Sequence, residues 1–394
     1  MGFGAIITSG NNNKLLPERL VDCITEVRVE QFLDEPTRFA IRFQEDIVDE
    51  EPMIMKASEL QCEQMIAIAV EVNDALTCLV RGPITHTQCS ITLGGPGSWF
   101  EIHGQDRRIE LDRQCVRKAW SGLASSAAQS ILGDAFDATD ITATNIFYGA
   151  PRAGPTQATQ TLNQRFTNEA FVCQIARQNN LCYWLSYDCE VDRLDLTGQS
   201  LTIDETANLK PSPPRPQSSG LPTPPVDLIS LVPTVNVVLR VNVQPDQCQT
   251  VTAFQLNVNP EQPNQFSGTA IDESDLNEQS TTASDPQPSI SQNGRRINEC
   301  EAQRDLCVTT AGSATEVQNR AEAALTESGW YVNATASTTA HMLGGVLMPH
   351  DVVDVEGLGE ENSGSYQIKT TTHVINAADH FMDLELRRNV MGGS

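Results

Sequence analysis

An alternation of polar and apolar residues with a period of two dominates the first hundred residues. It constrains the fold more than any other feature of the sequence. Residues 26–30 and 38–43 both alternate, and the turn-like residues 34–36 lie between them. This pattern predicts a β-hairpin with one buried face. Residues 65–72 and 76–80 predict two further strands.

The last hundred residues alternate in the same way. The predicted strands lie at 352–355, 366–370 and 382–386, with a turn-rich loop at 357–364. Before them, a capping box at 313–316 predicts the start of a helix. We expect Gly329 to end this helix. Its predicted buried side chains are Val317, Ala321, Ala324 and Leu325.

Two other segments have helical spacing. From residue 112 to residue 132, apolar side chains recur every three to four positions, which predicts an amphipathic helix that buries Trp120. A second helix is predicted at 167–180, with Thr167 as its N-cap. A strand at 181–187 is expected to follow it.

The middle of the chain is irregular. Seven prolines lie between residues 211 and 225, which favours an extended segment that cannot pair in a central strand. Short strands are predicted at 235–243 and 251–258. Residues 259–294 are rich in Asn, Gln, Ser, Asp and Pro, which predicts a long mobile loop.

The charge balance excludes several classes of protein. The chain has 26 Lys and Arg against 51 Asp and Glu, a net charge of −25. Such an excess of acid disfavours sequence-specific nucleic-acid binding and adhesion to an anionic membrane. No apolar run approaches the roughly 20 residues that a membrane span needs, and the N-terminus lacks the pattern of a secretory signal. We therefore expect a protein without a membrane anchor, made in a cytoplasm, whose 11 cysteines are reduced.

Sequence motifs for catalysis and cofactor binding are lacking. The six histidines do not have the spacing of metal ligands, no Cys-x-x-Cys pair occurs, and no Gly-x-Ser-x-Gly or phosphate-binding Gly-rich motif is present. Runs of carboxylates lie in predicted loops, where they are typically solvated. The sequence therefore predicts a protein that is not an enzyme, with no catalytic residue, metal ligand or cofactor.

The most distinctive stretch is a strand that leads into a Gly-x-Asp turn at Gly104 and Asp106. Glycine permits a bend there, and Asp106 or Asp112 can accept hydrogen bonds from the free N–H groups at the start of a helix. Taken alone, this describes a generic strand–turn–helix unit.

The same stretch resembles the hub family of contractile tails: phage baseplate hub proteins, phage late-control D proteins and the N-terminal part of VgrG spikes. The first match comprises Ile102, Gly104, Asp106, Arg117 and Trp120. The second lies at 169–183 and includes Phe171 and Ala176, with Asn180 where the family usually has glycine, a substitution that tolerates a positive φ. The third comprises Pro349, Gly357, Gly364, Tyr366 and His373, with His350 in place of a glycine. The likeness covers residues 20–200 and 300–390.

This resemblance implies a mixed α+β, β-rich fold. It consists of two tail-tube-like β-barrel domains with short packed helices and an irregular middle segment. The expected division is a first tube-like domain at 1–104, the helix–strand part of a second tube-like domain at 105–200, an insert at 201–299 with the Pro-rich linker, and the rest of the second domain at 300–394. The implied role of the signature residues is structural.

The resemblance also implies a structural baseplate hub of a contractile tail or phage-like injection system. It would form a homotrimeric ring that joins the sixfold inner tube to the threefold central spike. Expected partners are the inner tube protein, a separate spike protein and other baseplate proteins. DNA or protein cargo would pass through the lumen without specific binding. Assembly is expected in the bacterial cytoplasm, and the product would be a phage virion or an injection particle.

Two other classes remain open on the sequence. A delivered cell-wall hydrolase would need a cleft with two partly buried carboxylates of different pKa. A secreted binding module would be a monomer with disulfides.

Overall fold

The computed structural model describes most of the chain. Strands account for 49% of the described residues, and helices together with 3₁₀ turns for 18%. The described residues are 4–44, 54–92, 97–149, 161–192, 200–211, 237–242, 248–271, 278–285, 287, 289–291, 294–306, 310–311 and 314–392. The predicted proline-rich segment, apart from Pro211, lies outside them, as does Ser313 of the predicted capping box.

The strands predicted at 26–30, 38–43, 65–72, 76–80 and 181–187 are confirmed, and the N-terminal half contains others that were not predicted. The described strands of this half are β1 (Ala5–Ser9), β2 (Lys14–Leu15), β3 (Ile24–Phe32), β4 (Arg38–Gln44), β5 (Met65–Val72), β6 (Ala75–Ser90), β7 (Trp99–Gln105), β8 (Lys118–Trp120), β9 (Gly122–Leu123), β10 (Ala138–Ile141), β11 (Phe147–Tyr148), β12 (Leu162–Gln164), β13 (Cys182–Asp192) and β14 (Ser200–Lys210).

The C-terminal half contributes further strands. They are β15 (Val238–Arg240), β16 (Ala253–Val258), β17 (Gln265–Ile271), β18 (Glu278–Ala283), β19 (Arg295–Arg296), β20 (Asp305–Leu306), β21 (Thr310–Ala311), β22 (Val332–Thr339), β23 (Val352–Glu356), β24 (Gly364–Asn376), β25 (His380–Arg388) and β26 (Val390–Met391).

The helices are short. They are α1 (Glu18–Val21), α2 (Arg108–Asp112), α3 (Ala124–Gly133), α4 (Asn168–Gln178), α5 (Ala314–Ser328) and α6 (Ala340–Leu343), with 3₁₀ turns at Ile54–Lys56, Ser58–Leu60 and Ile297–Glu299. The predicted N-cap of α4 is confirmed, because the Thr167 hydroxyl accepts a hydrogen bond from Ala170 N.

One large sheet organises the fold. Its strand order is β10-β14-β2-β1-β5-β6-β7-β4-β3-β24-β25-β22-β16, with β13 beside β14, β23 beside β24 and β15 beside β23. The long strand β6 pairs with β5 over its first half and with β7 over its second, so it joins two halves of the sheet. The predicted hairpin is confirmed, with the buried pairs Val27↔Ile41 and Val29↔Phe39.

Two of the apolar cores of the fold lie against this sheet. In the first, Ile7 of β1 packs in the same core as Val29 of β3, although four strands separate them in the sheet. In the second, Leu239 of β15 packs with Leu384 of β25. The β-rich α+β class is therefore confirmed. The barrels are not closed across the described strands, because the hydrogen-bonded order stays open at β10 and β16.

Three segments differ from the sequence prediction. The helix expected at 112–132 begins only at Ala124, because β8 pairs with β12 and Gly122 adopts a φ of +101°. The loop expected at 259–294 contains the antiparallel hairpin β17–β18, which buries Phe266 against α5. On α5 itself, Ala324 is exposed, not buried.

The strand pairings cross the expected domain boundaries. β7 spans the boundary at 104 and β14 the boundary at 200, while β3 near the N-terminus pairs with β24 near the C-terminus. The predicted division of the chain into domains at residues 104, 200 and 299 is not tested by these pairings and stays a prediction. Across the described residues, no helix is both long and apolar enough to cross a membrane.

Candidate functional site

Gly104 lies inside β7, between β4 and β6. A Cβ at this position would lie 2.1 Å from the Phe39 ring and 2.6 Å from the Pro83 carbonyl oxygen. The glycine therefore allows close packing within an extended strand. The prediction that it permits a bend is wrong.

Asp106 follows β7 directly and is only 2% exposed. Its Oδ2 accepts a hydrogen bond from Thr37 N at 2.7 Å, and its Oδ1 accepts one from Arg108 N at 3.1 Å. The predicted role of Asp106 at a helix start is thus confirmed for α2. Burial raises the pKa of Asp106 to about 7, although the Arg108 guanidinium opposes this shift. Asp112 instead accepts a hydrogen bond from the Thr167 hydroxyl.

Arg108 is 1% exposed and joins α2 to α4 and β13. Its Nε donates to Glu169 Oε1 at 2.8 Å, its Nη1 donates to Tyr183 O at 2.9 Å, and the guanidinium lies 4.0 Å from the Tyr183 ring centroid. Burial acts to lower the pKa of Arg108, but Glu169 and Asp106 outweigh it and raise that pKa above its usual value. The charge of this buried arginine is therefore matched within the fold.

Arg107 extends the same connection to β14. Its Nη1 donates to Glu205 Oε2 at 2.7 Å and its Nη2 to Ala135 O at 3.0 Å. Arg81 of β6 lies 3.6 Å from the same Glu205 oxygen. Burial raises the pKa of the fully buried Glu205, and both arginines oppose this. We call the set Arg81, Asp106, Arg107, Arg108, Glu169 and Glu205 the ionic junction.

The signature residues Trp120 and Phe171 form a separate aromatic contact. The Trp120 ring stacks on Phe171 with centroids 6.3 Å apart, and its Nε1 donates to Gln164 at 3.0 Å. Trp120 lies on strand β8, not on the buried face of a helix as predicted. Phe171 and Ala176 are buried on α4, and Asn180 after it has a φ of +54°, as its glycine-like position predicts.

The C-terminal signature contains the turns that lead into β23 and β24. His350 after Pro349 has a φ of +76° and its ring stacks on Trp184 of β13 at 3.9 Å. Gly357 has a φ of +93°, and a Cβ there would lie 2.5 Å from the Asn242 carbonyl oxygen. Gly364 has a φ of +126°. Each glycine therefore occupies a conformation that other residues rarely adopt.

Tyr366 and His373 lie on β24 and are fully buried. The Tyr366 hydroxyl donates to Asn362 O at 2.7 Å. His373 Nδ1 lies 2.9 Å from His380 Nε2, and its Nε2 lies 3.0 Å from Gln31 Oε1. We call His373 and His380 the histidine pair.

The histidine pair is uncharged at neutral pH. Burial, together with the neighbouring ring of His380, lowers the pKa of His373 well below its usual value. Burial also lowers the pKa of His380 to about 4. Gln31 of β3 continues the connection by donating to Leu79 O of β6 at 2.8 Å. Neutral hydrogen bonds therefore link β25, β24, β3 and β6.

Ten of the signature residues do not converge on one cleft: Gly104, Asp106, Trp120, Phe171, Ala176, Pro349, Gly357, Gly364, Tyr366 and His373. Gly104 and Asp106 lie at or beside the ionic junction. Trp120, Phe171 and Ala176 lie in the core formed by α3 and α4. The other five lie around β23 and β24. Sequence reasoning missed most of the junction. The Arg107–Arg108 pair directly after the Gly-x-Asp turn was the available signal. In the described part of the chain, no cluster of three or more His, Cys, Asp or Glu side chains is arranged to hold a metal ion.

No family model and no curated protein matches the sequence, but its fold matches solved structures. The tail protein from Neisseria meningitidis MC58 superposes with a TM-score of 0.62 and 14% identity, over 98% of this chain and 97% of that one. The 43 kDa tail protein of prophage MuSo2 from Shewanella oneidensis gives 0.61 and 11%, over 98% and 99%. A chain of the Francisella PdpA–VgrG complex gives 0.51 and 10%, over 98% and 57%. The predicted resemblance to tail hub proteins is confirmed at the level of the fold.

Proposed function

We propose that this protein is the structural baseplate hub of a contractile tail or of a phage-like contractile injection system. Three copies form a ring that joins the sixfold inner tube to the threefold central spike. The observation that carries the proposal is the likeness to two tail proteins over nearly the whole length of all three chains.

Two of the apolar cores of the fold, those against the large sheet, support the symmetry of this proposal. One core lies between β1 and β3 in the first half of the sheet, and the other lies under β22–β25. If each core belongs to one tube-like unit, a ring of three chains contains six such units. The six units match a sixfold tube, and the threefold symmetry of the ring matches a threefold spike. A ring of this kind closes through heterologous interfaces between neighbouring copies.

The proposed mechanism is mechanical. A hub that holds the spike until the sheath contracts has to keep its two halves in a fixed relation. The ionic junction ties β6, α2, α4, β13 and β14 together, and the histidine pair ties β6 and β3 to β24 and β25. The histidine pair joins strands of the first core to strands of the second and so resists their separation, whereas the ionic junction holds β6, α2, α4, β13 and β14 together within the N-terminal part of the chain.

Two of the carboxylates with raised pKa, those of Asp106 and Glu205 in the ionic junction, support a structural role over a hydrolytic one. Asp106 is 2% exposed and accepts a hydrogen bond from Arg108 N, and Glu205 is fully buried and accepts one from Arg107 Nη1. A hydrolase would require such a pair to face a substrate cleft. We expect purified protein to leave bacterial cell walls intact in a muralytic assay, and clear lysis would contradict the proposal.

We place the hub in the bacterial cytoplasm during assembly and in a phage virion or injection particle afterwards. Its partners would be the inner tube protein, a separate spike protein and other baseplate proteins. Part of the net charge of −25 would line the lumen, where like charge weakens adhesion of a phosphate backbone and lets DNA or protein cargo pass. A neutral or basic lumen would contradict this part of the proposal.

Light scattering tests the assembly. The protein is mixed with the tube and spike proteins encoded beside it, and the mass of each complex is measured. We expect three chains of 43.0 kDa for every spike trimer. A chain that stays monomeric and ignores both partners would contradict the proposal, whereas a monomer in isolation is compatible with a hub that assembles only on its partners.

A further inference from the structure

An apolar layer lies where β13 and β14 pack across β5 and β6, next to the ionic junction. Its buried members are Ala67, Ala69, Cys78, Leu201 and Ile203. In the described part of the chain, β6 and β13 share no ladder of backbone hydrogen bonds. Side chains connect them instead, as when the Tyr187 hydroxyl donates to Arg81 O at 3.5 Å.

Two thiols meet in this layer. Cys78 of β6 is 3% exposed, and Cys189 of β13 is half-buried on the same face of its strand as Tyr187. Both side chains belong to this one apolar cluster, each thiol is the largest influence on the pKa of the other, and no disulfide joins them. A buried thiol therefore lies beside one that solvent can reach.

We propose that Cys78 and Cys189 form a redox site, at which a small disulfide such as oxidised glutathione converts the two thiols into a disulfide that joins β6 to β13. The inference concerns this pair alone and is independent of the proposed hub function.

The pKa values of the two thiols differ, and the difference makes the accessible Cys189 the better nucleophile. Cys78 lowers the pKa of Cys189, against the effect of partial burial. Cys189 and full burial raise the pKa of Cys78 well above its usual value. Because the thiolate is the nucleophile in disulfide exchange, the accessible Cys189 reacts first and the sheltered Cys78 second.

The reaction balances in two exchanges. The Cys189 thiolate attacks one sulfur of oxidised glutathione, forms a mixed disulfide and expels one glutathione thiolate. Cys78 then gives its proton to solvent and attacks the Cys189 sulfur, which expels the second glutathione. In total, two protein thiols are oxidised and one small disulfide is reduced to two thiols.

The new bond would close a loop that contains α2, α3 and α4 together with most of the ionic junction. A cross-link of this span restricts the unfolded chain and stabilises the fold. The thiols would persist in a reducing cytoplasm, and the bond would form in an oxidising medium outside the cell.

Peptide mapping of the native full-length protein tests the site. The protein is incubated with oxidised glutathione, its remaining thiols are alkylated, and it is digested without reduction for mass spectrometry. We expect one linked peptide that contains Cys78 and Cys189 and that dithiothreitol separates. The proposal is overturned if both cysteines are recovered alkylated, or if Cys189 carries a stable glutathione adduct while Cys78 is alkylated.

Variants separate the two steps. In Cys78→Ser, Cys189 should accumulate as the glutathione adduct, because the second nucleophile is absent. Cys189→Ser, at the less buried position, should leave Cys78 alkylated and is available if the first variant does not fold. Cys62→Ser, an exposed control, should retain the linked peptide. A linked peptide that joins Cys78 to Cys248 instead would contradict the assignment.

Discussion

The ionic junction and the histidine pair both link segments that are distant in sequence, but the first does so with charged side chains and the second with neutral ones. Both are buried. The junction pairs three arginines with the carboxylates of Glu169 and Glu205, whereas the histidine pair avoids charge altogether. Two solutions to the burial of polar groups thus coexist on one sheet, and they should respond in opposite ways to the loss of a partner and to acid.

Loss of Arg108 should have the largest effect. Arg108→Met keeps the apolar stem but leaves Glu169 buried without its cationic partner, so we expect a loss of about 3–5 kcal/mol in the free energy of unfolding. Urea denaturation measures it. The matched control is Arg113→Met on the exposed surface, which should change stability by less than about 0.5 kcal/mol. Equal small losses in both variants would show that the junction contributes no more than surface charge.

Acid should favour the junction through Asp106. Its pKa in the folded protein, about 7, exceeds the ordinary value of 3.8, so the folded state binds more protons than the unfolded chain between these values. The stability that this carboxyl contributes is therefore greatest at low pH and is lost as the pH rises to 7. On acidification from about pH 7.5 to about pH 5, protonation of Asp106 should add about 2.5 kcal/mol to the free energy of unfolding.

Asp106→Asn removes this contribution, so the variant should lose more stability than the native protein on the same acidification. Urea titrations at both pH values measure the difference. Asp134→Asn, at an exposed position, should leave the native pH dependence unchanged. Native pH dependence in Asp106→Asn would mean that Asp106 is ionised throughout the range.

Acid should lower the stability that the histidine pair contributes to the fold. The folded pKa of His380, about 4, lies below the ordinary 6.5, so the unfolded chain binds more protons between these values. This stability is fully present above pH 6.5 and is lost as the pH falls towards 4. Between about pH 7.5 and about pH 5, the native protein should lose about 2 kcal/mol in the free energy of unfolding through His380. His380→Gln should not show this part of the loss.

The exposed His341 provides the matched control for that experiment, since His341→Gln should keep the native acid sensitivity. If His380→Gln behaved like His341→Gln, the imidazole of His380 would take up its proton without penalty and the contrast with the junction would disappear.

Local pattern was enough to predict much of the sheet. The β3–β4 hairpin and the strands β5 and β23–β25 follow from alternation, because neighbouring side chains point to opposite faces of a strand. Trp120 was misplaced because β8 pairs with β12, about 40 residues later, and no local signal reports that pairing. The hairpin β17–β18 was missed because its polar composition resembles a loop, while Phe266 is buried only through its contact with α5.

The candidate site could be predicted only in part. The Gly-x-Asp turn indicated Asp106 as an acceptor of helix N–H groups, and the glycine-like position of Asn180 indicated its positive φ. The partnership of Arg108 with Glu169 joins residues 61 positions apart, and that of His373 with Gln31 joins residues 342 apart. Such contacts exist only once the strand order is set.

Electron microscopy of the complex with the tube and spike proteins tests the hub assignment most directly. End-on views should show three copies of this chain in a closed ring around an acidic channel, with six tube-like units facing the tube and a threefold face on the spike. A ring of six copies, or tube and spike joined without this chain between them, would contradict the account.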